Sequence, residues 1–560
     1  MFELKTHTMS EATLKYCIHL SILGIFTFLG CFAETATNKI STRDYPLFKG
    51  LDTYEMKIST DNPEAQKYFN QGLLLYYGYN YPEAARSFRA AAKLDPKCGI
   101  SNWGACLSLC DCIDNPGDKW HAEALQAFRA AININNPGTE KEQALIDALF
   151  GQFDELPEKN KDTLSMFGKN MKKLYQLYPD DPDITAIYAN VSTKEIDLYE
   201  GIRDADPSGE AEEVIKALED GMKKHPYHPG LNHFYIHAME GAGTPAKALE
   251  AAIRLDGLVP GSGHLQHMPA HIYFYYGNYH EATEANQRGI DADDQMFKDG
   301  GIKHPEFAGF YLHNYYFLFD SLMMEGRSAE AIDASHKLLK RLKDGDLPST
   351  PYLQDVFHSV PFLLLARTGK WDKLNSESAP PEKLIFANAM RAYALGQAAV
   401  RKRNALESDN QLKNIHRAIE NYAKAKANKE PYSPPLAKLL QISALDLSGQ
   451  IAAAAGNKKK EIENLNKAIA IEDTLDFHML PWYMYTRLSL GAALLADGKY
   501  QEAEAAYKKE LEKHPHSGWA LFGLTQCYDK QKKNKEAADC KKEFDAAWKY
   551  ADLKLTSTRF

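Results

Sequence analysis

From Ala65 to Cys98 the chain reads AQKYFNQGLLLYYGYNYPEAARSFRAAAKLDPKC, with apolar residues returning every three to four positions. That spacing predicts two amphipathic helices, separated by a turn near Tyr79 and Asn80. Pro96 ends the second, because it lacks the N–H that a helix interior requires. Gly72, Ala84, Phe88, Ala91 and Pro96 fall at positions 8, 20, 24, 27 and 32 of a 34-residue unit. The small residues let two helices touch, and the aromatic fills the gap between them. The register returns at Leu490, Gly491, Ala503, Tyr507 and Pro515, positions 7, 8, 20, 24 and 32, followed by a looser unit around Trp519 and Gly523. The segments TPAKALEAA (244–252), GNYHEATEAN (277–286) and EGRSAEAIDAS (325–335) read as a turn plus the second helix of further units. No strand-type alternation interrupts them.

This unit resembles the tetratricopeptide (TPR) repeat. The resemblance implies an all-α, TPR-type helical-repeat solenoid with a concave groove. Irregular insertions at 110–119, 196–209, 291–310 and 343–351 divide it into an expected N-terminal block, 61–345, and a C-terminal block, 346–550, before a tail, 551–560. Longer stretches, among them FNQGLLLYYGYNYPEAARSF (69–88), HPGLNHFYIHAME (228–240), GHLQHMPAHIYFYYGNYHEA (263–282) and GWALFGL (518–524), resemble a group of large exported bacterial TPR proteins of unassigned biochemical role. Such scaffolds bind in many ways, so function has to be argued from what lines the groove.

Composition narrows the partners. Of 560 residues 44% are apolar and 25% charged, as in ordinary globular chains. The balance 66 − 75 = −9 offers no basic footprint for nucleic acid. No dinucleotide fingerprint, phosphate loop, nucleophile elbow or H-E-x-x-H helix occurs, so no nucleotide cofactor is expected. Residues 1–33 carry Lys15 and then a mostly apolar run, Cys17 to Cys31, of signal-peptide length. Phe28-Leu29-Gly30-Cys31 resembles a bacterial lipobox with Cys31 as the lipidated residue; a plain cleavage site near Ala33 and an uncleaved anchor are the alternatives. Residues 34–60 follow as a leader. The expected location is the periplasm or, through a lipid anchor only, the membrane surface. In an exported chain, Cys98, Cys106, Cys110, Cys112, Cys527 and Cys540 are candidates for disulfides, Cys527–Cys540 first.

The histidines carry the chemistry. Ten of the 19 lie between His225 and His313, where an even spread would put about three. With Ala248 at position 20, His233, His237 and Glu240 take positions 5, 9 and 12. With Ala282 at 20, His264, His267 and His271 take 2, 5 and 9. With Ala331 at 20, His313, Tyr316 and Asp320 take 2, 5 and 9. The resemblance places positions 2, 5, 9, 12 and 13 of the first helix on the concave groove. Residues four apart share a helix face, and packed helices lie about 8–10 Å apart. His233, His237, His264, His267, His271 and His313 can therefore converge from three adjacent helices, with Asp320 as a seventh candidate ligand. Neutral imidazoles suit copper, iron or zinc, and Glu240 and Asp320 suit ligation or orientation of the rings.

Six imidazoles match a dinuclear centre with three per metal. Tyr275 and Tyr316 face the groove by register and, with Glu240, are the candidate catalytic groups. HPYHP (225–229) reads as a turn with solvated imidazoles, and His280 and His304 as loop residues. The function expected is an exported metalloprotein, with oxidoreductase action on a small molecule as one form. The alternative is a metal-free scaffold whose groove holds a peptide of an envelope partner.

Overall fold

The computed structural model describes residues 45–112, 119–134, 138–153, 164–196, 198, 209–302, 308–427, 433–475 and 484–560. The expected export segment, with Cys17 and Cys31, and His304 lie outside them. Among the described residues every regular element is helical, in an all-α helical-repeat arrangement. No helix among them is long and apolar enough to cross a membrane.

The first repeat shows why these residues fold this way. Helix α1 (Pro63–Tyr77) starts with Pro63 behind Asn62, whose side chain accepts from the Glu64 and Ala65 N–H groups. These are donors that a helix start otherwise leaves unpaired. Helix α2 (Tyr81–Leu94) buries Ala84, Ala85, Phe88 and Ala91. Phe88 is pinned from two sides. A Cβ on Gly72 would stand 2.9 Å from its ring, and one on Gly104 would stand 2.5 Å away. The aromatic at position 24 thus packs against glycines at position 8 of its own unit and position 6 of the next. Tyr507 repeats the arrangement between Gly491 and Gly523. Gly523→Ala should therefore cost about 1–3 kcal/mol of stability by overpacking against Tyr507, read as a lowered urea midpoint; an unchanged midpoint would refute this account of the register.

The chain divides into two compact units. The first comprises residues 45–273 and 284–314 of the described chain, and the second 274–283 and 315–560. Within the second, residues 551–560 run back over the helices. Asp552 accepts from Ser328 N (3.0 Å) and Ala329 N (2.7 Å) at a helix start, and Thr558 is 1% exposed, its carbonyl accepting from Arg367 Nη1 at 2.9 Å. All six described cysteines are free thiols, in place of the expected disulfides. Cys540 Sγ instead donates to the Leu521 carbonyl at 3.4 Å.

Candidate metal centre

Every histidine of the candidate set lies in the first unit. His233 and His237 stand on helix α3 (Pro229–Gly241), whose start is fixed by His228. His228 Nδ1 accepts from Leu231 N at 3.1 Å, and its Nε2 lies 3.2 Å from Asp183 Oδ1. Asp183 also accepts from Tyr77 (2.7 Å) and Tyr54 (3.0 Å). Burial pushes the Asp183 carboxyl up, but the bonds from His228, Tyr77 and Tyr54 outweigh it and hold it below its ordinary range. His228 is 2% exposed, which corrects its reading as a solvated turn residue. His280 likewise lies on a helix (Tyr279–Asp299) and not in a loop, with Nδ1 2.9 Å from Glu325.

His264 and His267 lie on helix α4 (Gly263–His267), and His271 on helix α5 (Pro269–Tyr276). The sequence predicts one helix there. Pro269 has no N–H to continue the ladder, and the helix restarts with Pro at its first position. His313 stands on helix α6 (Ala308–Met324).

The structure brings all six imidazoles together as two triads. In each, His233, His237 and His264 or His267, His271 and His313, one ligand nitrogen per residue lies within 4.8 Å of the others. The triads adjoin, with ring centroids 5.8 Å apart for His264 and His267 and 6.2 Å for His237 and His271.

The outer nitrogens decide what the inner ones can do. His233 Nδ1 meets the Tyr77 carbonyl at 2.6 Å, His267 Nδ1 meets Asn286 Oδ1 at 2.5 Å, and His271 Nδ1 meets Glu240 Oε1 at 2.7 Å. Each acceptor calls for an N–H on that side, so each neutral ring presents a lone pair at Nε2. Yet His267 Nε2 and His271 Nε2 are 2.8 Å apart, and His271 Nε2 and His313 Nε2 3.2 Å. Lone pairs face lone pairs. His233 Nε2 and both ring nitrogens of His264 are buried without a hydrogen-bond partner, an arrangement that native proteins rarely tolerate.

Burial favours the neutral form of four of these rings. It pushes His233, His264 and His267 well below the ordinary imidazole range, and His237 down to about 4. Neighbouring imidazoles lower all four further. Glu240 stands behind one ring of each triad, its second oxygen 3.8 Å from His237 Nδ1. It therefore orients rings from outside.

Two groups that the sequence reading passed over close the site. Tyr79 stacks over His264 (5.3 Å) and His237 (5.6 Å) and lies 4.7 Å from His233. Its φ is +59°. Tyr79 N donates to Tyr76 O and Asn80 N to Leu75 O, the helix-ending pattern in which glycine normally takes the left-handed position. A tyrosine there costs about 1–2 kcal/mol, the kind of strain that collects at working sites. The only hint in the sequence is the order Gly78-Tyr79-Asn80, with glycine one place too early. Phe310 packs on His264 at 4.3 Å.

The remaining candidates stand elsewhere. Asp320 follows His313 by two helical turns, about 10.5 Å along the axis, and accepts from the Tyr485 hydroxyl. Tyr316 packs on Phe357 at 4.7 Å. Tyr275 is 45% exposed beside Tyr276.

Residues 494–540 match the family model of the tetratricopeptide repeat. No curated protein matches the chain. Among solved structures, that of the APC/C hetero-tetramer Cut9–Hcn1 is similar at 13% identity, over 87% of this chain and 74% of that one, with a TM-score of 0.27. The human IFIT1 dimer with m7Gppp-AAAA is similar at 12% identity, over 88% and 91%, with a TM-score of 0.29. The chain therefore carries a tetratricopeptide repeat at residues 494–540, within an all-α helical-repeat fold whose first repeat shows the same glycine–aromatic packing.

Proposed function

We propose that the first unit is the metal-binding part of a metalloprotein, holding two transition-metal ions on three imidazoles each. The observation that carries this reading is the approach of His267 Nε2 to His271 Nε2 at 2.8 Å while the Nδ1 atoms of both face acceptors. A metal cation between two neutral rings turns that repulsion into bonding. Metal–imidazole bonds of about 2.0–2.1 Å at tetrahedral angles set ligand nitrogens roughly 3.3 Å apart. The 3.2 Å between His271 and His313 already matches, and the shorter pair needs to open by about half an ångström. Behind the ligands stand the carbonyl of Tyr77, Asn286 and Glu240, outer partners of the kind that fix the orientation of metal-binding imidazoles.

Three protein ligands leave a coordination position open, which supports Lewis-acid or redox chemistry with copper, iron or zinc. Oxidoreductase action on a small molecule is the form of activity proposed, in a chain exported through residues 1–33. Elemental analysis of protein purified without a histidine tag tests the reading. Two equivalents of one metal are expected, with His267→Ala/His271→Ala losing at least one. Metal-free protein after reconstitution with copper, iron and zinc would overturn it and turn the search to a peptide partner in the cell envelope.

A further inference from the structure

The two triads are not alike. The nitrogens of His267, His271 and His313 are drawn together at 2.8–3.2 Å, whereas His264 borders a cavity. That cavity has about 20 Å³ of room for a water-sized guest and is lined in part by Asn80, Ser262, Asp293, Met296 and Phe310. A single water needs about 10–15 Å³ measured in this way. The space therefore has room for a water or a diatomic molecule.

The space depends on two glycines. A Cβ on Gly78 would strike Ser262 Oγ, and one on Gly263 would strike the Asp293 carboxyl group. Around it, unsatisfied polar atoms collect: both ring nitrogens of His264, and the Oδ1 of Asn80, are buried with no hydrogen-bond partner. An empty apolar void would need none of these. Asp293, 8% exposed, faces the same space and disfavours anions there.

We propose that this cavity is the ligand pocket of the metal held by His233, His237 and His264, and that it admits neutral molecules of diatomic size. The proposal rests on the metal reading above. It makes the two sites unequal: of the two triads, the one that contains His264 borders the cavity and exchanges ligands with it. Phe310, 4.3 Å from His264, sets the size limit.

Cobalt(II)-reconstituted full-length protein tests it, with nitric oxide as the neutral diatomic probe and imidazole as the ring-bearing one. Cobalt content is measured first. Protein that takes up no cobalt refutes the metal reading itself. Given two bound ions, nitric oxide should alter the spectrum of one of them, and millimolar imidazole of neither. Phe310→Ala should admit imidazole with at least tenfold tighter binding, a gain that misfolding does not produce. Gly263→Ala should keep both cobalt ions and lose nitric oxide binding. Imidazole binding equally to wild type and Phe310→Ala, or nitric oxide binding undiminished in cobalt-loaded Gly263→Ala, would overturn the proposal.

Discussion

His264→Phe should make the metal-free protein more stable while removing one of its two metals. His264 is 4% exposed and sits among Tyr79, Phe310 and other imidazoles, with neither ring nitrogen hydrogen-bonded. An unsatisfied buried polar atom costs about 1–3 kcal/mol. A phenyl ring keeps the stacking and buries no polar atom. The expected gain is on the order of 1–2 kcal/mol in urea denaturation of metal-free protein, against the loss of one equivalent in elemental analysis. A histidine kept for structure would behave in the opposite way. Loss of stability without loss of metal would show that His264 is a packing residue. The expected trade is the one found where function is built at the expense of stability.

The second large effect is on acid stability. His233, His237, His264 and His267 all have folded-state values below the ordinary value near 6.5, His237 at about 4. The unfolded chain therefore binds more protons than the folded one below pH 6.5. Their contribution is fully present above that pH and is lost as the pH falls towards 4. His237 alone accounts for roughly 3 kcal/mol. In the second unit the signs are reversed. Burial pushes Asp355 up to about 6, against its bonds from the Ala387 and Phe386 N–H groups, so it favours the folded state as the pH falls through that value. Burial lowers His514, but Glu510 outweighs this and raises it, so its contribution is present below pH 6.5 and fades above it. Urea denaturation of metal-free protein at pH 8, 7, 6 and 5 should show a plateau and then a fall of several kcal/mol, with deprotection in hydrogen exchange confined to the first unit. Bound metal should hold the plateau to lower pH. A flat profile, or loss that begins in the second unit, would mean that the imidazoles are solvated.

Much of the fold was legible in the chain because helical packing leaves a local signature. Phe88 can fill its place only if residues 16 positions before and 16 after it are glycine, and that spacing is visible without coordinates. The pairing of His233 with His237, and of His267 with His271, follows from the four-residue repeat of one helix face, which Pro269 bends without undoing. Their meeting with His264 followed from the 34-residue step between Ala248 and Ala282, and that with His313 from setting Ala331, beyond the insertion at 291–310, at the same position. Register also set Asp320 at position 9, the place His271 takes in its unit, and there its carboxylate accepts from the Tyr485 hydroxyl.

What no local pattern contained is the set of contacts between residues far apart in sequence. The carbonyl of Tyr77 orients His233 from 156 positions away, Glu240 and Asn286 orient His271 and His267, and Tyr79 closes the site from a strained turn. Periodicity therefore determined which residue types share a face, because a helix repeats every 3.6 residues whatever surrounds it. Tertiary packing decided which nitrogens keep a lone pair, because a tautomer is set by the partner on the far side of the ring, and that partner can come from any part of the chain.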